Sequence, residues 1–331
     1  MNLQRLFFLC VLALFIGCGP TDKPARTTTT ASPDKKLRIA VIPKGTTHQF
    51  WKSINAGAQR AAKELGNVEV EWTSSPKEDD TTGQISVVKG CITKGLDGIC
   101  VAPNHSQSLV DAVEESIDAG IPVVIFDSGL AKGPEIVSYV ATNNENGGRL
   151  AAKQMAKSLE EKGSVILLRY REGSESTEQR EKGFLDEIAK YPNIKVVSSD
   201  QYGDSTVQSA KQKAMQLFVA NEGKFDGIFA VCEPNAVGVL EALEQSNLAS
   251  KVKFIAFDPS DRLIAGMEAD KVHGIVLQDP VEMGYQSVKT IVAKIRGEEV
   301  KKEIGTGEYV ATKENMTTPE MQKLLKPEVV E

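Results

Sequence analysis

The chain has 331 residues, with 39 Lys and Arg against 45 Asp and Glu, a formal net charge of −6 and only 6% aromatic residues. That balance, with no basic stripe and no helix-turn-helix module ahead of the first strand, argues against nucleic-acid binding. Setting aside about 35 leader residues leaves roughly 296, enough for two lobes with large cores.

Arg5 and the apolar run from Leu6 to Gly17 open the chain. The run is too short to span a bilayer comfortably and reads as the core of a signal peptide, residues 1–18. It ends Leu14-Phe15-Ile16-Gly17-Cys18, which resembles the lipobox of bacterial lipoproteins, although Phe15 stands where Leu is usual. Cys18 is therefore the expected lipidation site, the alternative being an ordinary secretory signal. Residues 19–35, rich in Thr, Pro and Ala, suit a disordered tether. Of the remaining cysteines, Cys91, Cys100 and Cys232, an odd number does not describe a disulfide framework. Cys91 and Cys100 could meet, or be buried as small hydrophobes.

From Leu37 onward apolar strands alternate with amphipathic helices. Strands are expected at 37–43, 68–73, 97–102, 122–127, 136–141, 164–169, 194–199, 226–231, 252–257 and 273–278. They are rich in Val and Ile with little polar alternation, as parallel strands covered on both faces should be. Helices are expected at 50–65, 81–94, 106–119, 146–160, 177–190, 206–221, 235–246 and 280–296. Such alternation implies βαβ units. The fold class is α/β, with two doubly wound, Rossmann-like parallel-sheet lobes joined by a three-strand hinge. The expected boundaries are 36–140 plus 279–304, 141–278 plus 305–318, and a C-terminal tail at 319–331, with crossings near 140, 278 and 304.

The second half repeats the wording of the first. Leu96-Asp97-Gly98-Ile99-Cys100-Val101 is followed by Val124-Ile125-Phe126-Asp127-Ser128. Phe225-Asp226-Gly227-Ile228-Phe229-Ala230 is followed by Ile255-Ala256-Phe257-Asp258-Pro259-Ser260. Each half presents an acid at the C-terminal end of a strand. Ligands of doubly wound sheets sit outside those ends. The mouth is thus expected at 44–51, 102–106, 127–129, 142–144, 170–180, 200–204, 232–235, 258–261 and 278–279.

Further phrases carry a resemblance: Phe50-Trp51 with Gly57-Ala58, Ala119-Gly120-Ile121-Pro122-Val123, Arg180 with Gly183-Phe184, Asn235-Ala236-Val237-Gly238, Phe257-Asp258 and Val310-Ala311-Thr312-Lys313-Glu314-Asn315. Across residues 37–318 the chain resembles periplasmic sugar-binding proteins of the ribose-binding type, related to the effector domains of Lac-repressor-like regulators. The resemblance implies a type I periplasmic binding protein that closes on a small carbohydrate. It further implies delivery to an ABC transporter permease and its ATPase, action as a monomer and no cofactor.

The residue types agree. A sugar needs planar, bidentate polar groups for its edge and rings for its faces. Asp127 and Asp258 can accept hydroxyl protons or else cap the next helix. Arg180 can donate as a fork or brace its lobe. Gln278 can donate and accept, Phe50, Trp51 and Tyr202 can stack, and His48 is either a hydrogen-bond partner or a plain loop residue. Where the ribose pattern has Arg after the first aspartate, this chain has Ser128. It has Ala102 in place of an Asn, Cys232-Glu233 in place of Asn-Asp, and His48 in place of a further Asn. Ribose itself is put in doubt, and a sugar or related polyol stays favoured.

Enzyme signatures are missing: no Gly-x-Ser-x-Gly elbow, no Walker A sequence and no zinc helix. Three scattered histidines do not make a metal site. An Asp127–Asp258 glycosidase pair would sit on opposing lobes and change separation with closure. The alternative functions are a sensory binding protein for a chemoreceptor or histidine kinase, or binding of a non-sugar such as an autoinducer or nucleoside.

Overall fold

The computed structural model describes residues 35–330 apart from residue 76. The expected signal peptide, Cys18 and nearly all of the expected tether lie outside the described residues. In chain order the elements are β1 (Leu37–Ile42), α1 (Gln49–Leu65), β2 (Val68–Trp72), α2 (Thr81–Thr93), β3 (Gly98–Val101), α3 (Val110–Asp118), β4 (Val123–Phe126) and β5 (Ser138–Ala141). Then come α4 (Asn144–Ser158), β6 (Gly163–Arg169), α5 (Glu175–Ile188), β7 (Ile194–Tyr202), α6 (Val207–Ala220), β8 (Gly227–Ala230), α7 (Glu233–Gln245), β9 (Lys253–Phe257) and α8 (Asp261–Glu268). The last are β10 (Gly274–Gln278), α9 (Pro280–Ile295), β11 (Glu303–Gly305), β12 (Glu308–Ala311) and α10 (Pro319–Leu325).

Two six-stranded sheets have matching orders, β2-β1-β3-β4-β5-β11 and β7-β6-β8-β9-β10-β12. All pairings are parallel except β10 with β12, which is antiparallel. In each sheet the order reverses beside the first strand, which creates a switch-point crevice at the strands' carboxyl ends. The chain crosses between lobes after β5, after β10 and between β11 and β12. Through these crossings α9 and β11 return to complete the first lobe.

The repeated Asp-Gly phrases turn out to be structural. Asp97 accepts from the Arg38 N–H and Asp226 from the Ser164 N–H, at 2.9 and 2.8 Å, clamping the start of β3 to β1 and of β8 to β6. Alternating strand residues feed cores on both faces of each sheet. Ile39 and Val41 pack with α1 and α9, whereas Ala40 and Ile42 pack with α2 and α3. The second lobe divides in the same way between α4 with α5 and α6, α7, α8 and α10.

In each lobe a glycine pair brings two helices into backbone contact. A methyl built on Gly57 would lie 1.9 Å from the Val281 carbonyl oxygen, and one on Gly284 2.0 Å from that of Ile54. In the second lobe a methyl on Gly148 would lie 2.0 Å from the Arg180 oxygen, and one on Gly183 1.9 Å from that of Glu145. Only glycine permits such crossings, and they fix α1 and α5 against their sheets.

The ten expected strands are present, and the short β11 and β12 are additions to them. Helix α8 was also not expected. It has only 8 residues, below the length at which apolar periodicity separates from background. The expected tail at 319–331 is corrected in part. Thr318 caps α10 by accepting from the Met321 N–H, and Met321, Leu324 and Leu325 are buried in the second lobe's core. Cys91, Cys100 and Cys232 are free and buried, and burial pushes the Cys91 thiol up to about 11. Among the described residues no helix is long and apolar enough to cross a membrane.

Candidate functional site

The two strand-end acids sit in the same unusual backbone conformation. Asp127 has φ 59° and Asp258 φ 66°, left-handed values that Asp tolerates better than most residues and that typically cost about 1–3 kcal/mol. Their N–H groups donate to Val140 and Val276, at 3.0 and 2.9 Å, so each acid is held by the neighbouring strand. The turn thus imposed ends the strand and directs both acids to one cavity between the lobes.

That cavity has about 390 Å³ of empty space and is lined by Lys44, His48, Phe50, Trp51, Glu78, Asp127, Tyr170, Ser176, Thr177, Arg180, Cys232, Glu233, Pro234, Asp258 and Gln278. Seven of the eight expected ligand-binding residues line it together: His48, Phe50, Trp51, Asp127, Arg180, Asp258 and Gln278.

Tyr202 does not line the cavity and is corrected. It ends β7, the edge strand of its sheet, away from the switch point, and its ring lies under the Arg169 guanidinium, 4.8 Å from the centroid. Tyr170, one strand inward, lines the cavity instead.

Arg180 is almost fully buried and makes several contacts at once. Its Nε donates to Asn144 Oδ1 at 2.8 Å and its Nη1 to the Val231 carbonyl at 3.0 Å. The same Nη1 stands 3.6 Å from Asp258 Oδ2, and the guanidinium carbon lies 3.9 Å over the Phe257 ring. Gln278 donates to Asp258 Oδ1 at 2.7 Å, which leaves its buried Oε1 without a hydrogen-bond partner. Burial nevertheless pushes the Asp258 carboxyl up to about 6, with Arg180 and Gln278 opposing and Asp127 and Glu78 adding to the rise.

Lys44, which sequence reasoning passed over, spans the cleft. Its Nζ donates to Ser174 and Ser176 at 3.2 and 3.1 Å and stands 3.5 Å from Asp127 Oδ2. Ser128, the residue in place of the ribose-type Arg, accepts from the Ser176 N–H at 3.1 Å. Gly129 N–H donates to Glu175 at 2.9 Å and Ser106 N–H to the Gly173 carbonyl at 2.8 Å. The lobes are therefore shut on each other by direct bonds.

Glu78 is another residue not anticipated. It follows β2, a strand end like the others, so the rule that located the mouth applies to it equally. Trp51 Nε1 and the Tyr170 hydroxyl both donate to its carboxylate, Tyr170 from the opposite lobe. His48 Nδ1 lies 3.0 Å from Glu78 Oε1. Burial pushes the Glu78 carboxyl upward, but the bonds from His48, Tyr170 and Trp51 and the His48 charge outweigh it, and the group ends below its ordinary value. His48 moves the other way. Burial works against its charge, and Glu78, Glu233 and Asp258 together lift it above 6.5.

Phe50 and Trp51 meet edge to face, with centroids 4.9 Å apart. Trp51 packs into the first lobe's core, while Phe50 is half-buried. The Phe50 N–H faces Glu233 Oε2 at 3.5 Å across the cleft. Cys232 points its thiol to Asn235 Oδ1 at 3.6 Å. Ala102 is core, and its carbonyl accepts from Gln84 at 2.8 Å.

A family model described as a periplasmic binding protein domain matches residues 39–299. The chain belongs to that family. Among its relatives, this periplasmic binding protein is 27% identical over 266 residues to the ribose import binding protein of Haemophilus influenzae, covering 80% of this chain and 88% of that one. It is 25% identical over 302 residues to a xylitol-binding protein of Mycolicibacterium smegmatis, covering 91% and 84%. Among solved structures, a carbohydrate transporter solute-binding protein of Agrobacterium radiobacter in complex with D-arabinose superposes with a TM-score of 0.84. The identity there is 34%, with 88% of this chain and 99% of that one covered. An ABC transporter solute-binding protein of Actinobacillus succinogenes with bound D-allose gives 0.78 at 30% identity, covering 84% and 98%.

Proposed function

We propose that the protein captures a small carbohydrate or related polyol between its lobes and delivers it to an ABC importer. The observation that carries this reading is the shared cavity, where donors and acceptors from both lobes meet Phe50 and Trp51. Asp127, Asp258 and Gln278 suit vicinal hydroxyls, Arg180 suits ring or hydroxyl oxygens, and Phe50 offers a face to C–H surface. A ligand held by both lobes favours the shut form over the open one, and only such differential contact drives closure. The direct bonds across the cleft add to it, so the ligand need not supply all of the closing free energy. Binding is the role assigned to Asp127 and Asp258: each is engaged by a buried cation, which suits a clamp rather than an acid–base pair.

Relatives that bind ribose, arabinose, allose and xylitol by their names support the ligand class. The departures at Ala102, Ser128 and Cys232 argue against ribose itself. The leader and Cys18 support export to the periplasm or cell surface with a lipid anchor in a bacterial membrane, and the protein is proposed to act as a monomer. The test is thermal denaturation of residues 19–331, first unfolded and refolded to strip bound ligand, against sugars and polyols. A ligand at 100 times its Kd adds about 2.7 kcal/mol. A well-folded sample that no member of the panel stabilises would overturn the reading. Detergent-phase partitioning of the exported full chain, lost in Cys18→Ala, tests the anchor.

A further inference from the structure

Four carboxylates line the cavity, and three of them face a cation. Asp127 has Lys44 at 3.5 Å, Asp258 has Arg180 at 3.6 Å and Glu78 has His48 at 3.0 Å. Glu233 is the fourth. Among the described residues it has no Lys, Arg or His nitrogen within 4.0 Å. The Phe50 N–H at 3.5 Å is the bond it accepts, at the long limit of such contacts. It stands in the first turn of α7, whose N-terminus supplies only about half a positive charge.

A second observation points the same way. Gln278 is 1% exposed, lines the cavity and donates through its amide nitrogen to Asp258, while its Oε1 is a buried acceptor without a donor. On the donor side, Lys44 is already committed to Ser174, Ser176 and Asp127. Acceptor capacity and negative charge are thus left unspent, which a neutral polyol fills only in part.

We propose that the ligand seated in this cavity carries a protonated amine that pairs with Glu233, making it an amino sugar or amino polyol. The inference rests on the carbohydrate-binding reading and narrows it. An ammonium at Glu233 supplies the missing cation and a charge-assisted bond, the stronger class of hydrogen bond. It also gives a half-buried carboxylate the cation it lacks. In the ligand-free protein, burial pushes Glu233 up to about 7, His48 opposing and Asp258 and Glu78 adding to the rise. The group thus stays poised until a cation arrives. Hydroxyls elsewhere on the ligand have Asp127, Asp258 and the Gln278 oxygen to donate to.

Isothermal titration of the refolded protein at about pH 7 tests this. D-Glucose, D-galactose and D-allose are each set against their 2-amino, 3-amino and 6-amino deoxy counterparts, and xylitol against 1-amino-1-deoxyxylitol. The expected result is at least one amine bound tenfold or more tighter than its parent. In Glu233→Gln that preference falls to within twofold while the melt stays cooperative, and Glu233→Asp retains it. Parents that bind as tightly as every amine overturn the inference and leave the carbohydrate reading standing. Binding by no member, amine or parent, overturns both.

Discussion

Replacing Glu233 with Gln should stabilise the ligand-free protein, and the gain should depend on pH. The carboxyl sits at about 7 in the folded chain against an ordinary 4.5. An acid raised in this way resists ionisation only when folded, so stability is lost as pH climbs from the ordinary value through the folded one. Each tenfold difference in proton affinity between the folded and unfolded chain is worth about 1.4 kcal/mol, which gives a penalty of about 3 kcal/mol at pH 8 and under about 1 kcal/mol at pH 5. Glutamine keeps an acceptor for the Phe50 N–H and carries no charge. The attraction of protonated His48 is already contained in the folded value, so the net gain at pH 8 stays at about 3 kcal/mol. At about 2.1 cal/mol/K of unfolding entropy per residue, a body of roughly 296 residues rises by about 5 °C in melting temperature. Parallel thermal melts of the two proteins at pH 5 and pH 8, without ligand, read it directly. A variant that melts at or below the parent at pH 8, or gains equally at both pH values, would refute the assignment of Glu233 as a half-buried acid without a cation.

Tyr170→Phe removes a donor to the buried Glu78 carboxylate across the cleft. Hydrogen bonds to charged groups are worth about 1.5–3 kcal/mol, so titration of the cognate ligand should show affinity falling tenfold or more. Tyr202→Ala should change the same affinity less than twofold, because its ring engages Arg169 outside the cavity; a larger loss would restore it to the site. Gly183→Ala places a methyl against the Glu145 carbonyl and should lower stability by about 3 kcal/mol, seen as a drop in the urea midpoint. Its ligand affinity should drop as well, because Arg180 stands one turn away on the same helix.

Much of this architecture was legible in the chain itself, for definite reasons. Parallel strands buried on both faces are unbroken apolar runs, so the inner strands could be read, and the edge strands β2 and β7 were read from their alternating Val and Ile. The rule that ligands gather at strand ends located Asp127, Asp258, Arg180 and Gln278. Glu78 obeys the same rule, but its loop has no apolar or aromatic marker beside it. Lys44 stood within the expected mouth, but only the opposing lobe's Ser174 and Ser176 make it part of the cleft. Tyr202 shows the converse. It follows a strand, yet an edge strand lies far from the crevice, and the position of a strand within its sheet is a long-range property. The repeated Asp-Gly phrase was informative about the doubling of the fold, while its acids serve strand pairing rather than ligand.

The return of α9 and β11 to the first lobe sets an order of events during synthesis. As the chain emerges from its N-terminus, Gly57 and its helical face stay bare until Gly284 has followed, and the first sheet lacks its edge until residue 305. The second lobe waits in turn for β12 and α10. Neither half can finish alone, so the polypeptide stays incompletely folded until its last segment is made, which suits a chain that must be threaded through a membrane before it takes shape.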